Sequence, residues 1–417
     1  MLMMPDTYHA RLRRLYLLAL LAAFSFRLLW GLAIPIIPVS DSSAYDVFAR
    51  NLAQGNGYGW EPNQPTAYWP VGASAIYALL FRFLGHDYVV VMLFQVVVGV
   101  AVVALAMALA RRWFGETVAV ATGWILACWP LLIQYTTILA SELFFLLFLL
   151  IAFWLASLPG RTWFARVLGS GVALAAASYV RPTALVMAPL LFLKDAVRRE
   201  YRPTAVLACI VTVVVMMVCI LPWTIRNWHV FDRVVLISTN GGANLWMGNN
   251  PKSDTGYMEL PELNIANEAE RDSVLGRHAR EYIAQDPVAF LGRMVKKVIV
   301  LHARESIGVA WNAKGIALRV GEGMILPLKI ISSGYWLAIL GAAIYGIFCL
   351  GRRFGVLFLL TCPPIGVWAY FTLVHGVTVA GDRYHVPSIP FIAMIAAYAV
   401  SLRLTARRAR MESPDVR

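Results

Sequence analysis

Runs of apolar residues recur from one end of the chain to the other, and several are long enough to cross a bilayer. A membrane-spanning helix needs about twenty predominantly apolar residues. The pattern predicts about ten such helices, with the bounds 12–37, 88–110, 117–135, 141–158, 165–180, 182–193, 203–225, 324–350, 354–374 and 384–402. The chain is therefore predicted to be an all-α polytopic membrane protein. The pair 165–193 is broken at Arg181-Pro182, which is typical of a kinked or re-entrant hairpin beside a cavity.

A polar loop, residues 38–87, separates the first two of these long runs. Ala44, Val47, Phe48 and Leu52 recur at helical spacing after Asp41, which predicts a short amphipathic helix on the membrane surface. A second helix is predicted in PTAYWPVGASAIYALLFRFLG, in or near the interface. Aromatic side chains in that stretch suit the level of the lipid headgroups, namely Tyr68, Trp69 and Tyr77.

The second polar segment, residues 226–322, is predicted to be a small mixed unit outside the membrane. VVLISTNGG and NLWMGNNP are typical of short strands or loops with Asn/Gly turns. NEAERDSVLGRHAREYIAQ predicts a helix. DPVAFLGRMVKKVIVLHARES predicts a basic amphipathic helix capped by Asp286, with Pro287 in its first turn and an apolar face suited to the membrane.

The composition agrees with a membrane protein, because 60% of the 417 residues are hydrophobic and only 14% are charged. The net charge of +13 is explained by topology, since short loops rich in Arg and Lys face the cytoplasm. Both termini then lie in the cytoplasm, and 38–87 and 226–322 lie outside. No basic patch with interleaved aromatics indicates nucleic acid. The expected units are an N-terminal membrane module 1–225, an outer segment 226–322, C-terminal helices 323–403 and a cytoplasmic tail 404–417.

Asp41 stands where the chain leaves the first predicted span, at the start of the amphipathic helix. A carboxylate at this place can act as a general base towards a hydroxyl group. An Asp directly before an apolar-periodic run is also the usual signal of a helix cap. Both interpretations stay open on the local sequence.

Four arginines break the expected distribution of charge, because they lie on the outer half of predicted spans: Arg27, Arg181, Arg226 and Arg383. Together they suggest a site for an anion such as phosphate. A guanidinium group can donate hydrogen bonds to two phosphate oxygens at once. Each alone could instead extend to lipid headgroups. Glu142 either starts a helix, where the dipole favours negative charge, or serves as a second carboxylate that orients an acceptor, an arginine or a metal.

Other candidate ligands near the last span carry weaker signals. Tyr384 and Trp311 are either membrane-interface aromatics or platforms for a sugar. His375, Asp382 and His385 match no strong metal signature. The five cysteines show neither a disulfide framework nor a CxxC metal site. No cofactor is predicted, although a divalent metal stays open.

Several short motifs, taken in their order along the chain, carry a resemblance to a known group. They are D-S-S-A-Y with A-x-x-L-A-x-G-x-G-Y, P-T-A-Y-W-P, S-E opening the fourth span, V-R-P-T, P-W-T-I-R-N with N-G-G-A-N-L-W-M-G-N-N-P, and R-Y-x-x-P-x-x-P opening the last span. Between residues 12 and 403 the chain resembles the bacterial GT-C membrane glycosyltransferases. That group includes protein O-mannosyltransferases, the lipid A aminoarabinose transferase and lipopolysaccharide galacturonosyltransferases.

The resemblance implies a GT-C helical bundle with juxtamembrane helices in its first outer loop. It implies a polyprenyl-phosphate-linked sugar as donor, with Asp41 as the catalytic base. Many members have Asp-Glu at this motif, whereas Ser42 follows here. The resemblance places the donor phosphate on Arg226 and Arg383, and Arg181 is a further candidate. The residues expected to bind the acceptor are Tyr45, Glu142, Tyr68 and Tyr384.

The resulting hypothesis is an inverting glycosyltransferase that moves a hexose or pentose to a hydroxyl of a cell-envelope glycan or lipid. The reaction would occur on the outer face of the bacterial inner membrane, among membrane lipids and without nucleic acid. Two alternatives are kept, a protein O-glycosyltransferase and a polytopic lipid transporter. A transporter would not need a long outer segment, and the chain shows no repeat symmetry of the kind common in transporters.

Overall fold

The computed structural model describes residues 6–158 and 163–412, and their side chains from residue 11 to residue 402. The described residues form helices and connecting turns, with no β-strand. The first α-helices are α1 (Asp6–Ala33), α2 (Asp41–Gln54), α3 (Val71–Leu84), α4 (Tyr88–Phe114), α5 (Glu116–Ala127), α6 (Pro130–Gln134), α7 (Glu142–Ala156), α8 (Trp163–Val180) and α9 (Ala188–Ala196).

The helices of the second half begin with another long apolar segment. They are α10 (Arg202–Phe231), α11 (Gly241–Asn249), α12 (Glu268–Gln285), α13 (Pro287–Ala303), α14 (Ile307–Trp311), α15 (Ala313–Val320), α16 (Ile325–Phe354), α17 (Val356–Thr361), α18 (Pro363–Val377) and α19 (Ile389–Glu412). Short 3-10 turns lie at Tyr135–Thr137, Pro182–Val186, Glu322–Met324 and Val386–Ser388.

Membrane character is confirmed by the length and composition of the helices. Within the described ranges, five helices are long and apolar enough to cross a bilayer: Arg11–Ala33, Tyr88–Phe114, Trp163–Val180, Arg202–Phe231 and Glu322–Phe354. A sixth is formed if α5 is joined to Pro130–Thr137, across a bend of 56°. Glu142–Ala156 and Val386–Leu402 are apolar but shorter. The count of about ten spans stays a prediction.

The bundle is organised around α4, against which α1, α5 and α7 pack. α19 packs on α5 and α16, and α8 joins α7 to α10. Aliphatic and aromatic side chains fill the space between these helices. This packing brings the ends of α1, α7, α8 and α18 to one side, where the polar loops lie.

The two helices predicted in loop 38–87 are present as α2 and α3, which pack on each other. The predicted headgroup position of Tyr77 is wrong, because this side chain is fully buried. Its hydroxyl donates to Gln95 Oε1 at 2.9 Å and accepts from the Ala140 amide at 2.9 Å. These two bonds satisfy the phenol inside the bundle, so α3 packs inward along that face.

The segment 226–322 consists of helices and loops, with no strand among its described residues, so the expected mixed unit is wrong. Residues 234–240 form a loop, which is one of the two forms expected for VVLISTNGG, whereas NLWMGNNP is largely helical instead of a strand or loop. Residues 241–249 form α11. A methyl group on Gly242 would overlap the backbone of Asp272 in α12, and one on Gly248 would overlap the backbone of Thr378. These close contacts explain the glycines, and the packing outweighs their weak helix propensity. α12 and α13 form as predicted, capped by Asn267 and Asp286.

Replacing Gly248 by alanine is expected to lower the free energy of unfolding by about 2 kcal/mol, since the backbone of Thr378 cannot move aside freely. Gly292 in α13 is the matched control, because nothing lies within 4 Å of an added methyl group there. Gly292→Ala should stabilise by up to about 1 kcal/mol through helix propensity. Denaturant unfolding in detergent measures both. Equal effects of the two substitutions would contradict the close packing of α11.

Candidate active site

Asp41 begins α2, and its carboxylate binds Arg383 from the far end of the chain. Asp41 Oδ2 lies 2.6 Å from Arg383 Nη1. Ser40, with a left-handed φ of 53°, occupies the cap position of the helix, and no side chain caps it there. The capping interpretation of Asp41 is therefore wrong, and its carboxylate is an ion-pair partner placed at the turn between α1 and α2.

Arg383 lies between α18 and α19, where two aromatic rings hold its guanidinium group. Its Cζ atom is 5.3 Å from the ring centre of Trp311 and 5.0 Å from that of Tyr384. Nη2 also donates to the Tyr384 hydroxyl at 3.2 Å. The side chains of Asp41 and Arg383 are 23% and 24% exposed. A ligand can thus reach a pair whose geometry is already fixed.

A second ion pair joins Glu142, the first residue of α7, to Arg181. Arg181 stands at the predicted break between α8 and the turn Pro182–Val186. Its Nε donates to Ser141 Oγ at 3.0 Å. The Glu142 side chain is only 2% exposed, so this pair is structural support more than a reactive surface. Glu142 orients an arginine here, which is one of the roles considered for it.

The two ion pairs belong to one electrostatic cluster. The carboxylates of Asp41 and Glu142 both interact electrostatically with Arg383. The charges of Arg181 and Arg383 also interact with each other. Tyr45 lies one turn after Asp41 on α2. It interacts electrostatically with Asp41, Glu142 and Arg181. Carboxylates and guanidinium groups thus alternate on one side of the bundle. An entering anion would meet Arg383 at the accessible edge of this cluster.

The phenols beside Asp41 are hydrogen-bond donors at neutral pH. Burial, and after it the charges of Asp41 and Glu142, raise the pKa of Tyr45 to about 12. Burial and the neighbouring Tyr257 and Asp41 raise the pKa of Tyr68 to about 12. Neither phenol loses its proton near pH 7, so neither suits the role of a base. Asp41 is the accessible carboxylate of the cluster and has the appropriate chemistry.

Arg226 belongs to a different cluster, which holds the turn before α3. Its Nη1 donates to the Thr66 carbonyl at 2.9 Å, and its Cζ lies 4.7 Å from the Trp223 ring centre. Glu268 of α12 accepts from Thr66 Oγ1 at 2.6 Å and from the Ala67 amide at 2.8 Å. These contacts fix the backbone that carries Tyr68. The predicted phosphate-binding role of Arg226 is untested by this geometry.

Arg27 also lies apart from the two ion pairs. It is buried in α1 and donates to the carbonyls of Ala23 and Leu126 at 3.0 and 3.3 Å. Its side chain runs directly over Gly99 of α4. Of the four arginines that were expected on the outer side, the structure therefore brings Arg181 and Arg383 together, and Arg27 lies inside the bundle.

A buried polar network centred on His385, two residues after Arg383, is not predicted by the sequence analysis. His385 Nδ1 donates to the Leu301 carbonyl at 2.7 Å, and Nε2 meets Glu305 Oε1 at 3.1 Å. Trp129 donates to the same carboxylate, and the His385 ring stacks on Trp336 at 4.1 Å. These contacts fix the ring of His385 inside the bundle. No local motif marks Glu305, whose partners are far away in sequence.

Removing Glu305 should displace His385 and, with it, Arg383 two residues earlier. Glu305→Ala is expected to lower the activity of the site by about tenfold or more, because small misplacements of a positioned group are costly. Glu305→Gln keeps a donor towards His385 and an acceptor for Trp129, so it should restore most of the activity. Rates measured beside unfolding curves separate positioning from stability. Equal loss in both variants would contradict a positioning role.

Breaking the buried pair should destabilise the fold. Glu142→Gln is expected to cost about 3 kcal/mol, because it leaves the charge of Arg181 without its partner. The matched control is Glu270→Gln, whose pair with Arg233 is about half exposed on both sides and should matter by less than about 1 kcal/mol. Denaturant unfolding in detergent gives both values. Similar costs for the two variants would refute the supporting role of Glu142.

A metal-binding role is not evident in the cluster near the last span. His375 bonds to the Val379 carbonyl, and Asp382 accepts from the amide and hydroxyl of Ser306. Throughout the described residues, no group of three or more His, Cys, Asp or Glu side chains is arranged to hold a metal ion.

Comparison with known families gives a partial match. Residues 69–225 match the family described as dolichyl-phosphate-mannose-protein mannosyltransferase. This stretch runs from just before α3 into α10 and contains Glu142 and Arg181, but covers less than half of the chain. Comparison with curated protein sequences gives no significant match.

Solved structures cover nearly the whole chain. Archaeal oligosaccharyltransferase AglB from Archaeoglobus fulgidus, in complex with an inhibitory peptide and a dolichol-phosphate, matches 99% of this chain and 53% of its own, with a TM-score of 0.60 and 13% identity. The apo Archaeoglobus fulgidus oligosaccharyltransferase matches 97% and 52%, with a TM-score of 0.57 and 13% identity. ArnT from Cupriavidus metallidurans, bound to undecaprenyl phosphate, matches 98% and 65%, with a TM-score of 0.47 and 14% identity.

The two oligosaccharyltransferase structures establish the fold. Their TM-scores exceed 0.5 over almost all of this chain, so the predicted GT-C helical bundle is confirmed. The chain spans about half the length of these oligosaccharyltransferases. At this level of identity the likeness concerns the architecture.

Proposed function

We propose that this GT-C membrane protein is a glycosyltransferase that moves one sugar from a polyprenyl-phosphate donor to a hydroxyl group. The observation that carries the proposal is the accessible Asp41–Arg383 pair in a bundle of this fold. The partial match to a mannosyltransferase family supports the reaction class. A lipid phosphate as ligand agrees with the dolichol-phosphate bound by AglB.

In the proposed reaction the donor phosphate displaces the Asp41 carboxylate from Arg383. Arg383 then neutralises the phosphate oxygens, while Asp41 is free to accept a proton. The acceptor oxygen forms a bond to C1 of the sugar as the bond from C1 to the phosphate oxygen breaks. The acceptor proton goes to Asp41, and the electron pair leaves with the polyprenyl phosphate. A single displacement of this kind inverts the anomeric centre.

The remaining residues are assigned supporting roles. Arg181, held by Glu142, supports the geometry behind Arg383, whose own charge favours the developing phosphate monoester. Tyr45 and Tyr68, as protonated phenols, can donate hydrogen bonds to an acceptor beside Asp41. Tyr384 orients the guanidinium group of Arg383. The contacts of Arg226 favour a role in holding the turn of Tyr68 over direct phosphate binding.

We propose the outer face of a bacterial inner membrane as the location, with both termini in the cytoplasm. The arginine-rich ends of α4 and α16 then face the cytoplasm. On this basis the acceptor is a cell-envelope glycan or lipid. A protein hydroxyl is the second candidate acceptor, which is favoured by the partial match to a family of protein mannosyltransferases.

The test is a panel of radiolabelled polyprenyl-phosphate sugars offered to the full chain in reconstituted vesicles with a membrane-extract acceptor. Transfer from one donor to a lipid or glycan fraction is the expected result and identifies the sugar. Label in the protein fraction would favour the second candidate. Absence of transfer from every donor, with a folded protein, would reject the glycosyltransferase proposal.

A further inference from the structure

A cavity of about 510 Å³ opens between α1, α4 and α7, away from the candidate active site. Apolar side chains form most of its wall, among them Leu20, Met107 and Trp154. Arg111 and Arg112, at the end of α4, stand at its polar edge. The lining side chains of α1 and Trp154 are half-buried, so the cavity is open at the side of the bundle.

The cavity lies at the opposite end of α1 from Asp41. Tyr16 lines it, and α1 ends at Ala33, shortly before Asp41. Seventeen residues of helix (33 − 16 = 17) span roughly 25 Å at 1.5 Å per residue. Leu20, which also lines the cavity, is still roughly 20 Å from the end of α1. A ligand in this cavity is therefore too far from the Asp41–Arg383 pair to take part in chemistry there.

The two arginines at the edge of the cavity, Arg111 and Arg112, have N–H groups beyond those used in their own contacts. Arg111 Nε lies 2.6 Å from Glu116 Oε1, and Arg112 Nη1 donates to Ser157 Oγ at 3.1 Å. Tyr16 holds Glu116 from the other side, at 2.8 Å from Oε2. Each guanidinium has five N–H donors on three nitrogens, and these contacts occupy one nitrogen of each. Both groups are exposed, and one net positive charge faces the cavity.

We propose that this cavity binds one anionic diacyl phospholipid of the membrane. The phosphate group is bound by the free N–H groups of Arg111 and Arg112, and an acyl chain lies along Leu20, Met107 and Trp154. Guanidinium groups bind phosphate through charge-assisted hydrogen bonds, and basic pockets between spans on the cytoplasmic side are suited to lipid headgroups. This site is independent of the proposed transfer reaction.

The experiment titrates phosphatidylglycerol into the delipidated full chain in detergent, with phosphatidylcholine of the same acyl chains as the neutral lipid. Native mass spectrometry counts the bound lipid. Wild type should retain one phosphatidylglycerol in preference to phosphatidylcholine. The double substitution Arg111→Gln/Arg112→Gln should weaken its binding by about tenfold or more. The matched control, Arg352→Gln/Arg353→Gln, alters another arginine pair, at the end of α16, and should leave binding unchanged.

A second variant keeps both charges and fills the space. Ala108→Phe places a ring in the cavity, and it should also weaken phosphatidylglycerol binding, even if the double arginine variant fails to fold. Equal binding of the two lipids, or undiminished binding in a folded variant of either kind, would overturn the proposal. Displacement of phosphatidylglycerol by a polyprenyl phosphate at equal concentration would assign the cavity to a carrier lipid and also overturn it.

Discussion

Asp41→Asn is expected to reduce turnover by about a hundredfold or more while the donor still binds. The amide cannot accept the acceptor proton, and general-base catalysis is worth roughly a hundredfold to ten-thousandfold. The same substitution removes the carboxylate that occupies Arg383 in the structure. Donor affinity should therefore stay the same or increase. Turnover and donor binding are measured separately in vesicles of the same lipid composition.

Asp46→Asn is the matched control, because Asp46 is a second carboxylate on the same helix. It pairs with Arg50 at 3.1 Å and with His86 at 2.8 Å, apart from Arg383. This variant should keep most of the wild-type turnover. A loss as large as that of Asp41→Asn would show that a charge anywhere on α2 has the same effect, and it would remove the support for Asp41 as the base.

Arg383→Ala should remove both donor binding and turnover. Its guanidinium is the accessible positive group of the cluster, and loss of one preorganised donor to a developing anion commonly costs about a hundredfold to a thousandfold in rate. The loss should appear in the donor dissociation constant as well as in kcat/KM. Arg383→Lys keeps the charge without the planar fork and should retain only part of the binding.

Arg226→Ala provides the contrast among the outer arginines. The substitution removes the contacts of Arg226 with Thr66 and Trp223. We therefore expect the turn before α3 to be less rigid and the acceptor to bind less well. Donor affinity should change little. If Arg226→Ala weakened donor binding as strongly as Arg383→Ala, the two arginines would share the phosphate, and the division between the two clusters would be wrong.

Local sequence patterns were sufficient for much of the fold. Apolar runs predicted the spanning helices, and the apolar spacing after Asp41 predicted α2. The predicted cap Asp286 marked the start of α13, where its side chain accepts a backbone N–H. α11 was missed because its glycines and asparagines disfavour a helix in isolation. Its stability depends on contacts with α12 and with Thr378, which are distant in sequence.

The residues of the candidate site were easier to predict than the ion pairs that they form with one another. Glu142, Arg181 and Arg383 were noticeable because charges in or at the ends of apolar spans are rare, and Asp41 because it begins an amphipathic helix. The bond between Asp41 and Arg383 joins residues 342 positions apart, and no local pattern encodes such a pairing. For the same reason, Arg226 was grouped with Arg383, because both are positively charged and both were expected on the outer side of the membrane. The hydrogen bond of Arg226 instead connects it to the turn at Thr66.

The most direct test of the proposed function measures bound and transferred label in the same vesicles. Wild type, Asp41→Asn and Arg383→Ala are each loaded with the radiolabelled donor that wild type uses, and the acceptor is then added. The expected patterns are binding with transfer for wild type, binding without transfer for Asp41→Asn, and neither for Arg383→Ala. Wild-type transfer by Asp41→Asn, or full donor binding by Arg383→Ala, would contradict a glycosyltransferase built on this pair.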